Sequence, residues 1–267
     1  MTFYTDTGGG GMFIEPATVK RLGLSVRKRM ADNTEYEVVT FPQFRPNAYI
    51  PAGKKSNDLF LIAGRDESRD GFLGQSWFAD RVWKFDYIER QLAFHEAGNL
   101  SQPLDNHCCL LGFLTNDQGE KQNSFARIQA TIDGDRLDFL FDTGATVSLT
   151  ETSTNRYLNG GESEQKLRGA SFIANSIFET WTARHPDWLV IDHADAYMNE
   201  SIIEVPVVRI AGYDVGPVWF TKRPDHNFHN YMSQWMDKRV DGALGGSLFK
   251  YFSITIDYPN SFACFKR

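Results

Sequence analysis

A mostly β fold of two related lobes with a central cleft is what this sequence predicts, and three observations predict it. A length of 267 residues suits two units of roughly 100 to 150 residues, each able to bury its own core. The chain also repeats itself. "DGFLGQSWFADRVWKFDYIERQLAF" (Asp70 to Phe94) aligns without a gap on "DGALGGSLFKYFSITIDYPNSFACF" (Asp241 to Phe265) at a constant offset of 171, with nine of 25 positions identical, where ordinary residue frequencies give about one or two. Finally, an Asp-Thr-Gly turn precedes each block, at Asp6 and at Asp142, so each half carries the same two signposts in the same order. The interval is 99 residues in the second half against 64 in the first.

The elements follow in chain order. After the first turn, "EPATVKRLGL" reads as a short helix, with Pro16 suited to its first turn. "VWKFDY" is the strand after the first late block. The segment from His95 to Ser124, with Asn99, Pro103, Asn106 and "NDQGEKQN", reads as the connection between halves plus an initial hairpin, which puts the lobes at 1–97 and 98–267. In "ARIQATIDGDRLDFLFDTG", Ile128, Ala130 and Ile132 alternate with polar neighbours, and Asp133-Gly134 is a hairpin turn signal. Leu137, Phe139 and Phe141 share one face of the returning strand, which delivers Asp142 at its exit. "NFHNYMSQWMDKR" reads as a second short helix, and "YFSITIDY" as an alternating strand matching "VWKFDY". The extra residues of the second half include "ETWTARHPDWLVIDHADAYMNES" (Glu179 to Ser201), placed to shape the cleft or to cover it.

Composition excludes several function classes. The formal charge of −6 and a pI near 5.5 give no general attraction to nucleic acid. The longest apolar run, "CCLLGFL" at Cys108 to Leu114, is too short to cross a bilayer, and the Met1 end lacks a basic stretch leading into an apolar one. Three cysteines, two of them adjacent at Cys108 and Cys109, suggest no disulfide framework and fit a reducing compartment, a lean towards the cytoplasm.

A strand ending in Asp-Thr-Gly and a small residue, followed much later by two apolar residues and Gly, resembles the half-site of the aspartic proteases, both retroviral and pepsin types. The matching residues are Asp6-Thr7-Gly8-Gly9 with Phe72-Leu73-Gly74, and Asp142-Thr143-Gly144-Ala145 with Ala243-Leu244-Gly245. The resemblance implies a bilobal acid protease fold with β-barrel-like lobes, and an aspartic endopeptidase acting on peptide or protein substrates. Asp6 and Asp142 are its expected catalytic pair. Direct attack of water on an amide needs a base and an acid, and two carboxyls sharing one proton supply both. Gly8 and Gly144 let backbone amides approach the carboxylates. By resemblance, the Thr7 and Thr143 hydroxyls bond across to the opposite turn, and Phe72, Leu73, Ala243 and Leu244, next to Gly74 and Gly245, form a dry floor. A flap is expected near Tyr36 to Tyr49 or Gly169 to Phe178. No metal, cofactor, nucleic acid or membrane partner is expected. The expected state is a monomer; a dimer working through Asp142 alone and an inactive peptide-binding protein are the alternatives.

The chain departs from the family pattern in three places. Thr5 stands before Asp6 where the second half has Phe141. Only five residues precede Asp6, so the first lobe lacks the entry strands that the second builds from Cys108 onward; an upstream extension, strands from elsewhere or a degenerate lobe would each account for that. The chain is also short for a pepsin type, which points to retroviral-type lobes in tandem.

Other motifs carry less. "GGGG" at Gly8 to Gly11 lacks the Lys-Ser or Lys-Thr of a phosphate loop. His226 and His229 have no third metal ligand, and neither has His107 beside its cysteines. The basic run Val19 to Met30 reads as a solvated helix end. Asp86 and Asp257 read as turn or strand-end groups, and Ser148 and the scattered histidines give no nucleophile–base spacing.

Overall fold

Alternation becomes strand where the sequence shows it. Along Arg127–Ile132 the even-numbered residues Ile128, Ala130 and Ile132 are buried, and the strand pairs antiparallel with Asp135–Phe141. Asp133 and Gly134 join them with φ values of 51° and 79°, the left-handed pair that a two-residue hairpin turn requires. The structure is a computed structural model that describes residues 1–31, 33–42, 51, 53, 56–62, 69–95, 106–157 and 166–267.

The strands form sheets of six, nine, five and two members. The six-stranded sheet uses only the first half, in the order Phe3–Thr5, Gly71–Leu73, Met12–Ile14, Asp58–Leu61, Thr34–Thr40, Arg27–Ala31. The nine-stranded sheet uses only residues 127–244. Among the described residues neither closes, so the barrel-like lobes expected from the sequence are instead open sheets in a mostly β fold.

The five-stranded sheet joins the halves. Val82–Asp86 lies antiparallel to Ser253–Asp257, with Gln91–His95 outside the first and Phe262–Lys266 and then Cys108–Leu110 outside the second. In the central pair Lys84 stands opposite Thr255, Val82 opposite Asp257 and Asp86 opposite Ser253. The repeat equates Lys84 with Thr255, so exchanging the halves maps this pair onto itself about a local twofold. Asp86 and Asp257 are the turn groups expected: the Glu89 amide donates to Asp86 and the Asn260 amide to Asp257, at 3.0 and 2.9 Å. Beneath the seam Phe141 stacks on Phe249 with centroids 4.3 Å apart and meets Phe85 at 6.1 Å.

The helix expected after the first turn runs Pro16–Leu22, with Pro16 opening it and Gly23 closing it at φ 62°. Lys20 and Arg21 of the basic run occupy its last turn, where cations suit the helix dipole. The second expected helix is a π-helical turn at Asn227–Met232 followed by a 3₁₀ turn at Ser233–Trp235. Part of the Glu179 to Ser201 segment extends the sheet edge, with Val190–Ile191 pairing to Ile202–Val205.

A further expectation is overturned. Cys108 and Cys264 form a disulfide, and this removes the basis on which a reducing compartment was expected. Its cause is the sheet: Cys108 faces Cys264 across the antiparallel pair, while Cys109 faces Ala263. Successive strand residues point to opposite faces, so only one of the adjacent cysteines can reach that partner. Burial pushes the remaining thiol of Cys109 up to about 12, which leaves it a poor nucleophile at neutral pH.

Candidate active site

The two Asp-Thr-Gly turns are delivered by the same construction. Phe3–Thr5 runs parallel to Gly71–Leu73, and the end of Asp135–Phe141 runs parallel to Gly242–Leu244. Thr5 stands beside Leu73 and Phe141 beside Leu244. The next amide in each half continues the ladder: Asp6 donates to the Leu73 carbonyl at 3.0 Å and Asp142 to that of Leu244 at 2.9 Å. Each late block therefore fixes where its aspartate leaves the sheet.

The turns then interlock. The Thr7 amide donates to the Thr143 hydroxyl at 3.1 Å, and the Thr143 amide donates to the Thr7 hydroxyl at 3.0 Å. The fully buried Thr7 hydroxyl also donates to the Phe141 carbonyl at 2.8 Å. Thr7→Val removes both contacts of that hydroxyl. Buried groups left without a partner cost about 1–3 kcal/mol each, so a loss of about 2–4 kcal/mol in urea unfolding is expected, with a smaller loss for Thr143→Val. Equal losses for the two variants would contradict this asymmetry.

Glycine is required where each turn crosses the opposite aspartate. A Cβ built on Gly8 would lie 2.4 Å from Cγ of Asp142, and one on Gly144 would lie 2.1 Å from Cγ of Asp6. Each glycine amide donates instead to the aspartate of its own turn, at 2.8 Å to Asp6 and 2.9 Å to Asp142. Three glycines of the "GGGG" run, Gly8, Gly9 and Gly11, are used in this packing. The Gly8 and Gly9 amides turn onto Asp6, while the Gly9 and Gly11 carbonyls accept from Gln75 and Gly74.

The carboxyls of Asp6 and Asp142 come within hydrogen-bonding reach of each other. Both are half-buried at the surface yet walled in by protein. Burial raises the proton affinity of Asp6. Burial, then the Asp6 charge and the hydrogen bond to it, raise that of Asp142 well above the usual carboxylate range. The pair therefore holds protons into a pH range where isolated carboxyls have lost theirs.

Two tyrosines flank the pair that sequence reasoning did not single out. Tyr4 donates its hydroxyl to the Gly144 carbonyl at 2.8 Å; burial, and then the charges of Asp6 and Asp142, push it up to about 12. Tyr87 is raised for the same reasons. The position of Tyr4 two residues before Asp6 was its one available signal. Ser171 was also missed: its hydroxyl accepts from the Gly245 amide at 3.1 Å and meets Ser247 Oγ at 2.9 Å.

The four residues expected as a floor divide between two faces. Leu73 and Leu244 are buried in the central core. Phe72 lines a cavity with Tyr4 and Phe13, and Ala243 belongs to a separate apolar cluster with Leu140 and Phe228. Strand alternation makes this split unavoidable. Of the two flap regions, Gly169 to Phe178 holds the strand Ser171–Ala174, bonded on both edges within the nine-stranded sheet, and the start of the helix Asn175–Arg184, so it is built-in structure. In the other region Thr34–Thr40 forms a hairpin with Arg27–Ala31 that is exposed along Thr34 to Glu37 and buried at Val38 and Val39, and residues 43–49 lie outside the described residues. His229 rests 3.4 Å from Asp241. Among the described residues no three His, Cys, Asp or Glu side chains gather where a metal could be shared, and no helix is long and apolar enough to cross a membrane.

Mostly β sheets meeting at a pair of interlocked aspartate turns define the class of this molecule at a coarse level. No family model and no curated protein matches the chain in sequence. Among solved structures it is similar to a retropepsin-like aspartic protease from Rickettsia conorii, at 14% identity over 59% of this chain and 89% of that one, with a TM-score of 0.34. That likeness is weak and of fold alone; the chemistry below rests on the geometry of the two turns.

Proposed function

We propose that the chain is an aspartic endopeptidase of two lobes, 1–97 and 98–267, that hydrolyses peptide bonds through water held between Asp6 and Asp142. The observation that supports it is the mutual enclosure of the two carboxyls, each pressed against the glycine of the opposite turn. One carboxylate takes a proton from water as its oxygen attacks the carbonyl carbon. The other carboxyl gives its proton to the carbonyl oxygen, forming a neutral tetrahedral diol. Collapse of the diol breaks the C–N bond, the amine nitrogen gains a proton, and the pair returns with one proton shared. The reaction as written is complete with two carboxyls and one water, so neither metal nor organic cofactor enters it. The Thr7–Thr143 bonds supply the fixed spacing that proton transfer needs.

The test is digestion of a denatured protein mixture across acidic to neutral pH, with titration by a pepstatin-type inhibitor. Cleavage that is blocked at a stoichiometry of one inhibitor per chain is expected. Peptide binding without cleavage at any pH would leave a binding protein instead. Full activity in Asp6→Ala would show that only the second turn works, through a dimer.

A further inference from the structure

The repeat equates more than the two aspartates, and the equivalent positions have opposite fates. In the first half Phe72 pairs with Tyr4 on one side and with Phe13 on the other. In the second half Ala243 occupies the place of Phe72, pairing with Leu140 on one side and with Phe172 on the other. Strand order and register therefore put Tyr4, Phe13 and Phe72 where the second half has Leu140, Phe172 and Ala243.

Around the first trio lies a cavity of about 370 Å³, lined also by Ile14, Ile62, Gly71, Glu15 and Arg69. This falls within the roughly 300–1,000 Å³ of ligand pockets. The Arg69 guanidinium lies on the Tyr4 ring at 4.6 Å, and the Tyr4 and Phe72 rings stack at 5.8 Å, so the walls facing the cavity are largely aromatic and aliphatic. One wall of the cavity, the Phe72 ring, reaches the first aspartate turn. A Cβ on Gly9 would sit 2.2 Å from the Phe72 ring and 3.0 Å from the Asp6 carboxyl, so the ring and the carboxyl flank the same glycine. Tyr4 reaches the second turn through its bond to Gly144.

Around the second trio there is protein. Phe228, Met232, Met236 and Val240, with Phe125, close over Leu140 and Ala243 in one buried cluster, and Phe172 packs against it. The covering segment is tied down. The Ser233 hydroxyl donates to the Phe228 carbonyl at 2.6 Å and accepts from the Val240 amide at 2.9 Å. Arg127 grips Asp237 with two bonds, at 2.7 and 2.8 Å.

Resting on the proposed peptidase reading, we infer that substrate selection is one-sided: the Tyr4–Phe13–Phe72 cavity takes a large apolar side chain on one flank of the scissile bond, and the matching place on the other flank is filled by residues 225–240. A substrate residue on the filled flank is held by its backbone alone, so its side chain is read weakly.

The experiment uses four peptides with a non-cleavable hydroxyethylene core, carrying Phe or Gly on each flank: Phe/Phe, Phe/Gly, Gly/Phe and Gly/Gly. Their binding to the full-length wild-type chain is measured by calorimetry, alongside digestion of a denatured protein mixture. One of the two singly substituted peptides should bind as tightly as Phe/Phe, about tenfold or more tighter than Gly/Gly, the increment expected for burying one aromatic side chain. The other should differ from Gly/Gly by less than about twofold. Met232→Ala, which removes side-chain bulk from the covering cluster, should raise affinity only for Phe on the insensitive flank. Equal gains from Phe on either flank, or no binding by any of the four, would overturn the inference. Cleavage with equal gains leaves the peptidase reading standing without it, and one-sided binding without cleavage does the reverse.

Discussion

Asp142→Asn should abolish hydrolysis while leaving the fold intact. Asn has the size and shape of Asp, so the enclosure by Gly8 and the bond accepted from the Gly144 amide survive the change. It cannot exchange a proton, and losing an acid–base group costs about 10²–10⁴-fold in rate; a fall of at least a thousandfold in turnover is expected. A second consequence does not depend on catalysis. The wild-type pair binds its proton more tightly folded than unfolded, because both affinities are raised by burial and proximity. Groups of this kind contribute stability that is fully present below the unfolded pKa of about 4 and is lost as pH rises through the folded value. The thermal stability of the wild type should therefore fall as pH rises from about 4 towards neutrality. In Asp142→Asn that slope should flatten, and the variant should melt above the wild type at pH 7. Retained turnover refutes the proposed chemistry; a wild-type melting curve that rises through this range refutes the coupling.

Gly144→Ala should also silence the site, by displacement rather than by loss of a proton carrier. The added methyl would lie 2.1 Å from Cγ of Asp6 and 2.4 Å from one of its oxygens, distances that force the carboxyl or the turn to move. A shift of about 1 Å in a reacting group is enough for a hundredfold loss, so at least that loss in kcat is expected. Gly8→Ala, whose methyl meets Asp142 at 2.4 Å, should behave alike. The contrast is Gly10→Ala: nothing lies within 4 Å of a Cβ there, and activity close to wild type is expected. If all three glycine variants cleave equally well, the tight crossing of the turns has no functional weight.

What could be read from the sequence is what local pattern encodes. The hairpin before Asp142 was legible because alternation and an Asp-Gly turn act over neighbouring residues. The repeat was legible because its shared positions carry specific backbone duties: Leu73 and Leu244 each accept from the amide of an aspartate, and Asp86 and Asp257 each hold a turn. The partner of Cys108 was not legible, because 156 residues separate it from Cys264 and no local period specifies which strands become neighbours. Phe72 and Ala243 were assigned to a floor by resemblance, together with Leu73 and Leu244, although neighbours in a strand face opposite ways. The flap assigned to Gly169 to Phe178 failed for a related reason: Ile173 and Ala174 are fully buried, and a short run of this kind looks the same in a loop tip as in a sheet interior.

The seam in which Lys84 faces Thr255 makes the encounter of the two acids independent of concentration. Where such a pair assembles from separate chains, dilution empties the site and each change to one copy is imposed on the other. Here the linkage is covalent and zipped by a shared ladder, so specific activity should hold constant down to the lowest concentration that can be assayed. It also lets each half differ at equivalent positions: Phe72 borders a cavity in one, while Ala243 leaves room for packing in the other.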